Sequence, residues 1–302
     1  MRRATPHSSV NARRLRAVRP TKSGPIYQKV RGKAVSTLLD RLADISILPM
    51  GWIMLITVAA MLGFSAICLF LRRGLSRLIT PHDQGIAGNY FSMAGTFTAL
   101  LLALLTVMVH EEYNGARSAA SAEANAVGDL YLFIQSVNDP REGEIEQRIE
   151  DYTRVVVNEE WAALARGESS ARAWNLFYDI GVMIDDLEPE TRREQALYSQ
   201  MLAGFAVMAD QRRDRLSKAG TTLPAVMWAM LFVSILITMG YAVAMGVGRS
   251  LATAAMLCVL AVLIGLVLSV MVAMNAPFGG GLGVQPNDMR ALLSEFETMM
   301  SP

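Results

Sequence analysis

The sequence predicts an all-α integral membrane protein, with four transmembrane helices arranged two plus two around an inserted cytosolic helical domain. Three observations predict it. Hydrophobic residues make up 52% of the 302, and charged residues only 18%, a balance more apolar than that of an ordinary soluble domain. The apolar residues gather in four long runs, each near or above the ~20 residues needed to cross ~30 Å of hydrocarbon. Between the second and third runs lies a charged stretch with helical periodicity and no strand-like alternation.

The first span is expected from Ile47 to Leu71, ending at Arg72-Arg73, and the second from Gly85 to Val109. The third lies between Pro224 and Val247, and the fourth between Leu251 and Met274. None of the four holds an internal Asp, Glu, Lys or Arg. Cys68 and Cys258 both fall inside these runs without a partner at metal-ligand spacing, so they read as small embedded side chains.

The formal net charge of +1 conceals an asymmetry. Residues 1–50 carry 11 Lys/Arg against 2 Asp/Glu, whereas residues 111–222 carry 12 basic and 21 acidic side chains. The first 35 residues, rich in Arg, Ser, Pro and Lys, predict a disordered arm. Its charge suits anionic headgroups as well as a plain positive-inside tail. No apolar segment of signal-peptide kind follows the early arginines, so a secretory leader is not expected. The arm and the segments holding Arg117, Arg212, Arg213, Arg215, Lys218 and Arg290 outnumber Arg72, Arg73, Arg77 and Arg249 on the other side. The positive-inside rule then places both termini and residues 111–222 in the cytosol of a multi-pass inner (plasma) membrane protein.

Within the inserted part, the second span should run unbroken through Glu111–Gln135, since no breaker precedes Asn138-Asp139-Pro140. A second helix sets Ile145, Ile149, Tyr152 and Val156 on one face and stops at Gly167. A third starts at Ser169 or Ser170 and reaches Leu187, and a fourth runs from Thr191 to Lys218 and buries Leu197, Met201, Phe205 and Met208. Gly279-Gly280-Gly281, after Pro277-Phe278, reads as a flexible exit from the last span. The expected organisation is a basic arm over 1–46, two spans over 47–110, the cytosolic helical domain over 111–222, two spans over 223–274 and a cytosolic tail over 275–302.

Catalytic chemistry is thinly represented. The three histidines, His7, His82 and His110, form no i, i+4 pair, so a metalloprotease or haem ligand set is not expected. The glycine run lacks the strand and lysine of a phosphate-binding loop. Intramembrane carboxylates, the mark of proton-coupled transport, are missing from the spans. No cofactor, metal or nucleic acid is expected, and the chain does not read as an enzyme. Glu123, Glu159 and Glu160 stand as possible binding residues, although Glu159-Glu160-Trp161 reads more simply as a helix surface with one buried Trp.

One pattern goes beyond hydropathy. In the second span Gly85, Gly88, Ser92, Gly95, Ala99, Ala103, Thr106 and His110 recur at steps of three and four, with Asn89 and Thr96 beside them. Tyr90, Ala94, Phe97, Leu101, Leu105 and Met108 occupy the far side. A face this small allows close helix packing; being partly polar, it also suits the wall of a water-filled path. His82 and Asp83 precede it, at a helix cap or a pore mouth. His110, at its cytosolic end, is the one ionisable ring near the membrane core.

These residues resemble a known family. His82, Asp83 and Gly85 open the span, and Tyr113, Ala116, Arg117, Glu123 and Ala124 follow it. Leu130-Tyr131, Glu160-Trp161, Arg213, Arg215 and Leu216 with Leu223-Pro224 and Trp228, and Pro277-Phe278-Gly279 with Val284 continue the match over residues 52–293. Together they resemble the bestrophin-like family of prokaryotic and plant membrane proteins. The resemblance implies the two-plus-two layout; by analogy with true bestrophins it also implies a pentameric channel lined by the second membrane helix. The bestrophin hydrophobic neck and calcium-binding acidic cluster have no match here. His110 stands where the family usually has an aromatic residue, and Ala162 where Pro is common.

The sequence therefore points to a homo-oligomeric ion channel in the lipid bilayer, with a permeant inorganic ion passing Gly88, Asn89, Ser92, Gly95, Thr96, Ala99, Ala103, Thr106 and His110. An acidic cytosolic body, where it lines the path, disfavours anions. The competing reading is a non-conducting interaction or sensor protein that docks a partner through its cytosolic bundle.

Overall fold

A computed structural model describes residues 48–75, 84–137, 139–220, 222–245 and 250–299. The chain divides into two units, Met1–Asp40 and Arg41–Pro302, and every described residue lies in the second. The basic arm, His82 and Asp83 lie outside the described residues.

Among the described residues the fold is all-helical. Helix α1 spans Met50–Leu75 and α2 spans Gln84–Gln135 without interruption. The inserted domain adds α3 (Glu142–Val155), a π-helical turn (Val156–Glu160), α4 (Trp161–Leu164), α5 (Ala171–Asp185) and α6 (Arg192–Ala219). Helices α7 (Ala225–Ala244) and α8 (Leu251–Met274) return to the apolar region, and α9 (Asn287–Met299) ends the described chain. Among the described residues four helices are long and apolar enough to cross a membrane: α1, α2, α7 and α8.

Local signals explain most boundaries. Gly167 takes φ 72°, and the Glu168 amide donates to the Ala163 carbonyl, a left-handed closure that ends α4. Ser170 caps α5 by accepting from the Ala173 amide. Thr191 and Glu194 form a reciprocal capping box at the start of α6. Ser250 and Thr253 do the same for α8.

In the membrane region α8 packs along α1. A Cβ placed on Gly265 would come 3.0 Å from the Val58 Cα, so these two backbones are in close approach. Helix α2 meets α7 through hydroxyls. Thr98 Oγ lies 2.5 Å from Ser234 Oγ and 2.7 Å from Thr238 Oγ, all three residues being buried. Such hydroxyl pairs join helices where no water competes.

The glycine-rich segment after α8 is not the flexible exit that composition suggests. Gly280 adopts φ 66°, the Val284 amide donates to the Pro277 carbonyl at 2.7 Å, and a Cβ on Gly283 would sit 2.6 Å from the Gly279 oxygen. A Cβ on Gly281 would meet the Met50 nitrogen at 2.9 Å, so the turn is seated against the start of α1. Beyond it α9 folds back, stacking Phe296 on Tyr131 of α2 with centroids 4.1 Å apart.

Candidate functional site

Helix α2 carries the predicted small-residue face through the membrane region. Its packed side is made by Thr98, Leu102, Leu105 and Val109, all buried. Leu105, assigned to the far side from the sequence, thus belongs to the packed side, while Tyr90, Phe97 and Met108 are exposed there. The small face lies on the other flank. Asn89, Ser92, Thr96, Ala99, Ala103 and His110 are exposed, and Gly88, Gly95 and Thr106 are half-buried. Nothing lies within 4 Å of a Cβ built on Gly95, and only the Met245 methyl approaches Gly88. Among the described residues the face is therefore unused for packing, and the close helix approach falls at Gly265 instead.

Its chemistry is distinct from the rest of the apolar surface. The exposed side chains of α1, α7 and α8 between Met50 and Leu71, Ala225 and Ala244, and Leu251 and Met274 carry no polar group except the Trp52 indole and the Tyr241 hydroxyl. On α2, Thr96 donates its hydroxyl proton to the Ser92 carbonyl at 2.9 Å, and Thr106 donates to Leu102 at 2.7 Å. Each hydroxyl hydrogen is thus occupied, and the oxygen lone pairs remain available to a solute.

A second constellation lies in the inserted domain, where α2, α3, the π turn and α6 converge. Glu123, Glu160, Arg212 and Arg215 are all fully buried. Glu160 accepts from Arg212 at 2.6 and 2.9 Å and from Arg215 at 2.6 Å. Glu123 accepts from Arg215 Nε and, at 3.3 Å, from its Nη2. Tyr152 donates to Glu123 at 2.5 Å and accepts from Arg212 at 2.7 Å.

Burial alone would push the Glu160 carboxyl up, but Arg215 and Arg212 outweigh it and hold it below the usual carboxylate range. Burial and the Glu123 charge push the Tyr152 phenol well up, so it stays protonated. Aromatic rings close the cluster: Arg212 lies 4.8 Å from the Trp174 centroid, and Arg215 lies 5.1 Å from that of Trp161.

By sequence Glu160 reads as a surface residue and the two arginines as flanking charges; in the structure all three are buried. The π turn is the reason: the extra residue it absorbs turns Glu160 and Trp161 inward together. Trp161 then donates its indole N–H to the Val284 carbonyl at 2.7 Å, with its ring edge-on to Phe278. Glu159 remains at the surface, paired with Arg172 at 2.7 Å. Every carboxylate oxygen is matched to a buried donor, so the cluster is a clamp between helices, while Arg212 Nε and Arg215 Nη1 are buried without a hydrogen-bond partner among the described residues. Among the described residues no group of three or more His, Cys, Asp or Glu is placed to hold a metal ion.

Comparisons agree with this architecture. A family profile described as Bestrophin-like domain matches residues 42–289. A crystal structure of a membrane protein with a single proline-to-alanine change superposes with a TM-score of 0.60 at 15% identity, covering 82% of this chain and 99% of the other. A bacterial bestrophin homologue from Klebsiella pneumoniae, carrying a leucine-to-threonine mutation, gives a TM-score of 0.56 at 16% identity with the same coverage. No curated protein matches the sequence.

Proposed function

This chain belongs to the bestrophin-like family, and we propose that it is a passive, homo-oligomeric ion channel of the plasma membrane whose conduit follows the small face of α2. The carrying observation is that Ser92, Thr96, Ala99 and Ala103 form an exposed, partly polar strip that no described helix covers. Isolated in lipid, such a strip leaves the Asn89 amide and the threonine oxygens unsolvated. Around a central axis, copies of α2 would surround water with hydroxyl oxygens and small side chains, which is how a pore wall replaces part of an ion's hydration. Five copies is the number that the resemblance to bestrophins implies. The absence of acidic and basic side chains inside the spans favours passive conduction over coupled transport. The basic arm supports a topology with both termini and the inserted domain in the cytosol.

Purified protein in planar bilayers should give unitary currents, and Ser92→Trp or Ala99→Phe should reduce or abolish them while the oligomer elutes unchanged. Wild-type protein that stays silent across voltage, calcium and pH would refute the reading.

A second reading, a membrane protein that docks a partner through the inserted domain, is favoured by one feature. Trp174, Tyr178 and Val182 expose an apolar stripe at i, i+4, i+8 on α5. A monomer in detergent that crosslinks a partner through residues 141–218 would support it over the channel.

A further inference from the structure

Two apolar surfaces of the inserted domain stand at the same height. On α5, Trp174, Tyr178 and Val182 are 40%, 49% and 38% exposed, a stripe of large side chains of the kind that marks a contact surface. The other surface is a groove of about 690 Å³ between α2 and α9, lined by Leu132, Leu292 and Met299 among others. Leu132 and Met299 are each 52% exposed. A chain of contacts fixes the heights. Gly181 of α5 lies against the Phe205 ring of α6, and the neighbouring Gly204 lies against Leu130 and Phe133 of α2. Tyr131, between those two, stacks on Phe296 of α9. Helices α5 and α2 both run antiparallel to α6, since Trp174 meets Arg212 and Gly115 meets Lys218. Tyr178, about one turn nearer the membrane than Gly181, is therefore level with the contact between Gly128 and Leu292. The two surfaces are also well separated. Helix α6 packs between α5 and α2, and α9 packs on α2 and α3, so the row α5–α6–α2–α9 curls over α3 with the stripe at one end and the groove at the other.

We propose that the α5 stripe of one subunit seats in the α2–α9 groove of the next and that this contact closes the cytosolic ring. The inference rests on the homo-oligomeric reading above and names the surfaces that carry it. Subunits inserted with one topology form a ring by rotation about the membrane normal, which keeps every residue at its own depth. Surfaces that meet across such a ring must stand at equal height and must be two different patches of the same chain. The stripe and the groove satisfy both conditions. Their chemistry agrees as well. Trp174 and Tyr178 combine a large apolar body with one donor each, the indole N–H and the phenol O–H. The groove offers apolar walls together with acceptors in Asp129 and Glu295. Aromatic side chains of this kind are enriched where protein surfaces meet.

The test is crosslinking in native membranes, with Cys68 and Cys258 replaced by Ala and Tyr178→Cys combined with Leu132→Cys. Both of these positions are exposed. A short bis-maleimide should give a ladder of covalent multimers on a denaturing gel, because each subunit then offers one thiol to each neighbour. Either single variant should run as a monomer, and the two singles expressed together should stop at dimers. Trp174 is left in place because its ring covers Arg212. Val182→Cys with Met299→Cys supplies a second exposed pair should the first fail to reach the membrane. An intact native oligomer without the ladder, or a single variant that links to itself, would overturn the inference. A wild type that is monomeric in lipid nanodiscs would instead remove the oligomeric reading beneath it.

Discussion

Glu160 holds Arg212 with both carboxylate oxygens, at 2.6 and 2.9 Å, across 52 residues of chain and with neither side chain in contact with solvent. The same carboxylate binds Arg215, which also holds Glu123 on α2. The helix carrying the small face is thereby tied to the helix that leads into α7. Removing one member leaves the others charged and buried, an expensive state. Glu160→Gln should therefore lower stability by about 3–5 kcal/mol, read as a fall in the midpoint of thermal unfolding in detergent. Arg212→Lys should also destabilise, because an ammonium cannot make the two parallel bonds. Stability equal to wild type in both variants would show that the clamp contributes nothing.

The clamp also sets a pH dependence. The Glu160 carboxyl is depressed relative to its ordinary value of 4.5. A group with a lowered folded-state pKa contributes stability that is complete above the unfolded value and is lost as pH falls through the folded one. Unfolding should thus become easier below about pH 4.5, whereas at neutrality the contribution of this group is complete and does not vary with pH. Tyr152 has the opposite sign: its raised pKa stabilises the fold below pH ~10 and is lost on the alkaline side. Melting midpoints between pH 3 and 7 should fall less steeply in Glu160→Gln than in wild type.

The hydropathy of the four spans, the unbroken course of α2 and the caps at Ser170, Thr191 and Gly167 were all legible in the sequence, because each depends on local composition or on a single side chain beside its own backbone. What could not be read is everything that rests on partners far apart in the chain. Thr98 lies two residues from Thr96 in the sequence and resembles it chemically. Yet Thr98 turns toward Ser234 and Thr238 while Thr96 is exposed, a difference only the α2–α7 contact reveals. The glycine run is ambiguous in sequence because glycine serves flexibility and close packing alike, and only the nearness of Met50 tells them apart. Glu160 reads as a surface charge, and Arg212 and Arg215 as flanking ones, because charge alone gives no sign of a buried partner.

The Thr98 cluster yields its own expectation. Thr98→Val removes the hydroxyl that Ser234 and Thr238 share, leaving two buried oxygens to find other partners. Interhelical hydrogen bonds in membranes average well under 2 kcal/mol. The single variant should therefore lower the thermal midpoint modestly, and Thr98→Val with Ser234→Ala and Thr238→Val together should cost less than the sum of the separate changes. Strict additivity would mean that the three hydroxyls act independently.

Gly265 allows a sharper comparison. A Cβ there would approach the Val58 Cα at 3.0 Å and its Cγ2 at 3.3 Å, so Gly265→Val must push α8 away from α1. Gly63→Ala, on the same helix pair but with nothing within 4 Å of its Cβ, serves as the control. The valine variant should lose several degrees of thermal stability or fail to accumulate in the membrane, whereas the Gly63 variant should behave as wild type. Equal behaviour of the two would contradict the close crossing.

The π turn makes the most discriminating case. On a regular α-helix continued from Ile145, Ile149 and Tyr152, the inward line would pass through Val156 to Glu159 and Ala163, with Trp161 turned out. The observed inward residues are Val156, Glu160, Trp161, Ala163 and Leu164, with Glu160 inward in place of Glu159 because the turn Val156–Glu160 accommodates an additional residue. Deleting the exposed Asn158 should convert the turn to ordinary α-helix and leave Glu160 and Trp161 facing Arg212 and Val284, so the fold should survive with its indole environment intact. Deleting Ala162, four residues on, removes a residue beyond the turn and rotates Leu164 and Gly167 by about 100° relative to the core. That variant should lose stability while the Asn158 deletion does not, as thermal unfolding and tryptophan fluorescence would record. If the Asn158 deletion were the more damaging of the two, the turn would not be what brings Glu160 into the clamp.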